Sequence, residues 1–181
     1  MAALLDVARS HIGIKEIPGD KHNPAIIQMF KDVGHPEVRD DETAWCAAFV
    51  GSALKSLGYP IPPKDVSLLA RSYCSYGVPA KPQPGAIGIW PRGNSSWQGH
   101  VAIVEQVNGD GTVTVIGGNQ SNAVTRARYQ ISNALAFRMP VRAEEKELRV
   151  AGSKEIKTAD KIENTGIVGG NGPTFIQELA N

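Results

Sequence analysis

The sequence predicts an α+β domain over residues 1–142, with helices first and a small antiparallel sheet after them. Apolar residues recur at helical spacing in the first half of the chain, whereas the second half contains short runs rich in valine and isoleucine. The turn sequence NGDG at 108–111 separates two of those runs, which is typical of a β-hairpin. Helical spacing followed by strand-like runs therefore sets the fold class.

Four amphipathic segments are predicted to be helices, and each ends at a glycine. They cover 3–12, 24–33, 44–57 and 66–76. Asn23 and Pro24 have the residue types that favour an N-cap and a first helical position, so the start of the second helix is well marked. The third segment is heavily apolar and carries Cys46 in its first turn.

Four short runs are predicted to be strands. They cover 86–90, 100–107, 112–118 and 135–140. The character of the sequence changes after them, because 143–181 is polar, contains several glycines and has few aromatic residues. We predict that 143–181 is a linker or an arm, not a second core.

Composition is that of a soluble globular protein. Hydrophobic residues make up 41% and charged residues 20%, and the formal net charge of +1 gives no electrostatic reason to expect a nucleic-acid partner. No apolar run reaches the roughly 18 to 20 residues that a membrane-spanning helix needs, and the N-terminus lacks the features of a Sec signal. We expect neither nucleic-acid binding nor membrane insertion.

Cys46 is the first candidate for chemistry. A thiol becomes a good nucleophile when it is deprotonated, and the N-terminus of a helix stabilises the thiolate. Cys46 follows shortly after Asp41 and Thr43, which are N-cap candidates for its helix. The alternative is that Cys46 is simply a small apolar residue in a buried helix, which is the commonest fate of a free cysteine.

A nucleophilic thiol also needs a base and a group that orients the base. His100 opens a predicted strand directly after a loop, on a face with small apolar neighbours, where it could pack against the Cys46 helix. The hairpin returns Asn119 to the same end of the sheet, so Asn119 is predicted to orient the imidazole, with Gln120 as the fallback. A surface histidine and an ordinary turn asparagine are the alternatives.

No cofactor or metal is expected. The two cysteines allow at most one disulfide and form no CxxC motif, and the four histidines are scattered. The acidic run at 40–42 lacks the donor spacing of a calcium loop and is interpreted as a capping and solvated turn. Cys74 is predicted to be a packed or idle thiol.

Three blocks, DDETAWCAAFV, GHVAIVEQV and GGNQSNAV, occur in this order along the chain. Together they resemble the signature blocks of the CHAP and NlpC/P60 cell-wall hydrolases. The resemblance is closer to a phage and prophage endolysin-type family within that group, whose pattern is IG-x-KE, NP, D-E-x-x-WC-x-x-FV, GHV and GGNQ. It covers the chain from about residue 12 to residue 140.

The resemblance implies a papain-like fold, with the nucleophile on a central helix that packs on an antiparallel sheet. It also implies hydrolysis of an amide bond in peptidoglycan, either N-acetylmuramoyl-L-alanine or a bond of the stem peptide, through an acyl-enzyme. Cys46 would be the nucleophile, His100 the base and Asn119 the third residue. Many CHAP relatives have a glutamate two residues before the asparagine, where this chain has Gly117, so Asn119 would orient His100 alone.

Weaker candidates for substrate contact flank the catalytic residues. Trp45 and Trp97 could stack on sugar rings, although core packing is an equal interpretation for Trp45. Glu16 is expected to line the cleft, with a solvated helix-end charge as the alternative. Gln120 is a further candidate.

Two other functions stay open. The same thiol chemistry would serve an effector that cleaves or deamidates proteins. The chain could instead be a structural or adaptor component of a virion that carries the hydrolase and docks through the 143–181 arm. Since no Sec signal is visible, we expect synthesis in the cytoplasm and access to peptidoglycan through a holin, a secretion machine or a virion.

Overall fold

The computed structural model describes residues 2–142 and 144–145. The predicted arm at 143–181 lies almost entirely outside these residues, so its role stays a prediction. Three α-helices come first: α1 (Ala2–Ser10), α2 (Pro24–Asp32) and α3 (Cys46–Ser56). Six strands follow: β1 (Val78–Pro79), β2 (Ile87–Pro91), β3 (Gly99–Val107), β4 (Thr112–Gly117), β5 (Thr125–Gln130) and β6 (Ala136–Met139). This order confirms the α+β class.

The first three predicted helices form where the sequence indicates. The Asn23 side chain caps α2 by accepting a hydrogen bond from the Ala25 N–H at 2.9 Å, and Pro24 occupies the first helical position. Helix α3 is buried along most of its length. A Cβ on Gly51 of α3 would lie 2.5 Å from Val33, just after α2, so this glycine allows the close packing of α3 beneath α2. None of the helices in the part of the chain that the structure describes has the length and apolar character of a membrane-spanning segment.

The fourth predicted helix is wrong. The segment instead forms two 3-10 turns, Lys64–Val66 and Ala70–Ser75. Between them lies Ser67, which is fully buried and whose hydroxyl is 3.0 Å from the carbonyl oxygen of Val33. This contact fixes the chain against the end of α2. The hydroxyl also lies 3.2 Å from the carbonyl oxygen of Lys64, where it competes with the backbone N–H groups for a local acceptor.

The strands form one antiparallel sheet in the order β1-β6-β2-β3-β4-β5. The NGDG turn joins β3 to β4, as predicted, and β3 has a bulge between Val104 and Gln106. Strand β5 is not among the predicted strands, although its apolar Ala127 and Tyr129 alternate with arginines as a half-buried strand requires.

Both faces of the sheet are covered by apolar side chains. Val101 and Ile103 of β3 belong to the core that includes the three helices. Ala102 and Val104 lie in a second cluster, with Trp90 of β2. Alternate residues of β3 therefore face opposite sides of the sheet, one covered by the helices and the other by an aromatic cluster.

Candidate active site

Cys46 is the first residue of α3. Its N-cap residue, Trp45, makes no side-chain capping bond, so no cap side chain occupies the backbone N–H groups of the first turn. Burial raises the pKa of the Cys46 thiol, while hydrogen bonds from the Val101 and Ala47 N–H groups and the positive charge of Arg92 act in the opposite direction. These groups would stabilise the Cys46 thiolate once a base has accepted the thiol proton.

The predicted capping by the acidic turn is wrong. Thr43 donates its hydroxyl to Asp40, and Asp41 is fully buried rather than solvated. The Asp41 carboxylate holds three groups, at 2.9, 2.8 and 3.1 Å: Ile17 N, Asn23 N and His22 Nδ1. Burial alone would raise the pKa of Asp41, but these hydrogen bonds outweigh it and the pKa is lowered. Asp41 therefore fastens the loop between α1 and α2 to the segment that leads into Cys46.

His100 is buried at the start of β3, and its Nε2 lies 3.1 Å from Oε1 of Gln120. The Gln120 amide nitrogen donates to the Thr125 carbonyl at 2.7 Å, which fixes the carboxamide with its oxygen toward the imidazole. His100 Nε2 then carries the proton. Nδ1 makes no hydrogen bond within the described residues, and it is left as the basic nitrogen.

Burial lowers the pKa of His100 to about 4; the Gln120 hydrogen bond acts in the opposite direction, and the charge of Arg92 lowers the pKa further. The imidazole is therefore neutral near pH 7. A neutral imidazole with a free Nδ1 is the form that can accept a proton from a thiol.

The structure brings Gln120, and not Asn119, to the imidazole. The chain leaves β4 at Gly117, and Asn119 has a φ of 55°, so that its side chain lines a neighbouring cavity. A Cβ on Gly117 would lie 2.8 Å from Oε1 of Gln120. The missing side chain at 117 thus makes the space that the Gln120 carboxamide fills beside His100.

His100 does not face the helix as predicted. Val101 takes that side of β3, and the His100 ring stacks on Tyr129 of β5, with centroids 5.4 Å apart and an interplanar angle of 14°. Within the described residues, no hydrogen bond joins the Cys46 sulfur to His100. Catalytic hydrogen bonds are often long without substrate and shorten in the complex.

Two residues connect the thiol and the imidazole electrostatically. The Arg92 charge acts to lower the pKa of both Cys46 and His100. The pKa of Tyr129, whose ring stacks on His100, is raised by burial and also by the thiolate charge of Cys46. Cys46 and His100 therefore lie in one electrostatic neighbourhood.

Two cavities meet beside the nucleophile and share Ala44 and Arg92. The smaller, of about 140 Å³, is lined by Cys46 and by Trp97, whose surface is 65% exposed. The larger, of about 590 Å³, is lined by Glu16 and Asn119 among others. Glu16 and Trp97 thus lie where a substrate would run, and their contact with it stays a prediction.

Trp45 lies in the core, which corrects its assignment as a substrate contact. Its side chain is 0% exposed, and its Nε1 donates to Oε1 of Glu16 at 2.8 Å. A fully buried ring offers no face to a sugar, so its function is to pack under α3 and to position Glu16. The described residues contain no group of three or more potential metal ligands.

Residues 38–119 match the family model described as CHAP domain. The chain contains a CHAP domain. This confirms the predicted family and the α+β papain-like fold. CHAP domains are typically cysteine- and histidine-dependent hydrolases of peptidoglycan, which is the general activity that the match implies. No curated protein matches the chain. The predicted phage or prophage affiliation stays a prediction.

The CHAP match includes Cys46 and His100 and ends one residue before Gln120. Sequence reasoning misses Tyr129 and Arg92. The alternation of β5 would have indicated that Tyr129 points into the sheet, whereas Arg92 follows Pro91 in a loop whose path the sequence does not define.

Proposed function

We propose that this CHAP domain cleaves an amide bond of peptidoglycan, either N-acetylmuramoyl-L-alanine or a bond within the stem peptide, with Cys46 as nucleophile, His100 as base and Gln120 as the residue that orients the base. The observation that carries the proposal is the hydrogen bond between His100 Nε2 and Gln120, because it fixes the tautomer with a free Nδ1. This replaces the Cys-His-Asn arrangement with Cys-His-Gln.

The reaction would run in two halves. His100 Nδ1 takes the thiol proton as the Cys46 sulfur attacks the amide carbonyl, and the imidazolium then gives that proton to the leaving amine, which leaves a thioester. Water attacks the thioester while His100 takes a proton from it. The carboxylic acid departs and the thiol regains its proton. The open N–H groups at the start of α3 favour the negative charge that develops on sulfur.

Both catalytic groups rest uncharged in this arrangement. Burial raises the pKa of Cys46 and lowers that of His100, so the thiol and the imidazole are both neutral near pH 7. Proton transfer therefore accompanies attack on the substrate, and the chemistry needs substrate to bring the two groups into contact.

The test is digestion of purified peptidoglycan by the wild type, by Cys46→Ala and by Cys74→Ala, with the released fragments identified by mass spectrometry. Cys74 is the matched control, because it is the other free thiol and it lies away from both cavities. We expect fragments from the wild type and from Cys74→Ala only, and their masses will identify the bond that is cut.

Release of nothing by the wild type would favour the protein-directed effector or the structural virion component. Delivery through a holin, a secretion machine or a virion stays a prediction, since the arm that would dock onto a partner lies outside the described residues.

A further inference from the structure

The larger cavity beside Cys46, of about 590 Å³, contains an equal number of acidic and basic side chains. Its charged residues are Lys15, Glu16, Glu42 and Arg92, and we call it the mixed-charge cavity. It adjoins the cavity of the nucleophile through Ala44 and Arg92. A group bound there would belong to the same substrate molecule whose amide bond lies at Cys46.

The charged groups of this cavity are available to a ligand. Among the described residues, the side chains of Arg92 and Glu42 form no ion pair and no hydrogen bond with another side chain, and both are exposed. Glu16 is held in place, because the buried Trp45 donates to its Oε1 at 2.8 Å. The cavity thus offers a free guanidinium together with one fixed and one free carboxylate.

The wall of the cavity has an unusual backbone. Asn119, Ser121 and Asn122 have φ values of 55, 54 and 62°, and they are the non-glycine residues with positive φ in the described part of the chain. All three line the mixed-charge cavity. The Glu16 N–H donates to the Asn122 carbonyl at 2.9 Å and so ties this wall to the opposite loop. Backbone strain of this kind persists where surrounding contacts hold it, and it concentrates at ligand sites.

We propose that the mixed-charge cavity binds a zwitterionic amino-acid group of the stem peptide, with Arg92 on its carboxylate and Glu16 and Glu42 on its ammonium group. This inference rests on the proposed function and names the substrate class. A ligand with one charge would leave either the guanidinium or the carboxylates unmatched, whereas a group with both charges satisfies both. The domain then prefers walls whose diamino acid ends in an ammonium and a carboxylate over walls whose diamino acid is lysine.

The test compares two soluble muropeptides that differ only in the third residue of the stem. In one, that side chain ends in an ammonium and a carboxylate; in the other it is lysine and ends in an ammonium alone. We expect the wild type to have a KM about tenfold lower for the first, since a charged hydrogen-bonded contact has about that effect. Arg92→Gln should remove the preference, and Arg92→Lys should keep part of it.

The readout is the ratio of the two substrates for each variant. Arg92 also acts on the pKa of Cys46 and His100, but that effect changes both substrates equally and cancels in the ratio. Lys81→Gln is the control, because Lys81 is an exposed cation that lines neither cavity. Glu42→Gln should raise KM for both muropeptides and leave the ratio unchanged, because both carry the ammonium group.

A wild type that cleaves both muropeptides with KM values within about twofold would overturn the inference and leave the proposed function standing. The same holds if Arg92→Gln keeps the full preference. If the wild type releases nothing from these substrates or from whole peptidoglycan, the proposed function itself fails, and the inference fails with it.

Discussion

Replacing Gln120 with leucine removes the carboxamide that joins His100 to β5. A buried group and a part-buried group lose their partner: the His100 Nε2–H at 3.1 Å and the Thr125 carbonyl at 2.7 Å. An unpaired buried polar group costs about 1–3 kcal/mol, and the leucine side chain returns part of this through apolar burial. We expect the free energy of unfolding to fall by about 2 kcal/mol, as urea denaturation would show.

Gln120→Leu should also lose activity at a temperature where the variant is still folded. Without an acceptor at Nε2, the tautomer with the proton on Nδ1 becomes populated, and it cannot take the thiol proton. We expect kcat/KM on peptidoglycan to drop by about 10- to 100-fold, because the variant loses part of the rate enhancement that general base catalysis supplies. The Gln120 bond raises the pKa of His100, so its loss should move the acid limb of the pH profile to lower pH.

Asn119→Gly is the matched variant, because glycine accepts the φ of 55° at that position without strain. It should keep kcat within about threefold of the wild type. Asn119 also lines the mixed-charge cavity, so the two variants are compared by kcat at saturating substrate. The reasoning is refuted if Asn119→Gly loses most of its kcat while Gln120→Leu retains it, since Asn119 and not Gln120 would then orient His100.

Three further predictions concern stability. The pKa of His100 is about 4 in the folded protein and near 6.5 in the unfolded chain, so about 3 kcal/mol of the free energy of unfolding is present above pH 6.5 and is lost as the pH falls toward 4. Urea denaturation at both pH values should show a smaller loss in His100→Asn, and an equal loss would contradict the lowered pKa of His100. Asp41→Asn should cost about 3 kcal/mol because its carboxylate is buried on three donors, whereas the exposed neighbour Glu42→Gln should change stability by less than about 0.5 kcal/mol; similar urea midpoints would be inconsistent with this. Gly118→Ala should cost about 1–3 kcal/mol, since its Cβ would lie 2.6 Å from two aromatic residues, whereas Gly109→Ala meets nothing within 4 Å and should show no such drop in melting temperature.

The elements with strong periodic signals could be predicted from the sequence. Asn23 and Pro24 mark the start of α2, and the NGDG turn marks the β3-β4 hairpin, because local chemistry decides both. The segment after residue 64 could not be assigned correctly, since a long-range contact from Ser67 to Val33 overrides its helical pattern.

Only some residues of the candidate site could be predicted from the sequence. Cys46 and His100 can be proposed from the sequence alone, because one begins a helix and the other begins a strand. The exchange of Asn119 for Gln120 depends on the path of the chain after β4 and on the space left by Gly117, which are tertiary properties. The burial of Asp41 could not be predicted for a related reason: an acidic side chain is expected to be exposed to solvent unless the buried groups that donate hydrogen bonds to it are known.

The most direct measurement of the mechanism is the capture of the acyl-enzyme. Wild type mixed with a soluble muropeptide and quenched in acid within milliseconds should carry the acyl fragment as a thioester, and peptide mapping by mass spectrometry should place it on Cys46. Gln120→Leu should accumulate it more slowly. An adduct on Cys74, or fragment release that Cys46→Ala retains, would contradict Cys46 as the nucleophile.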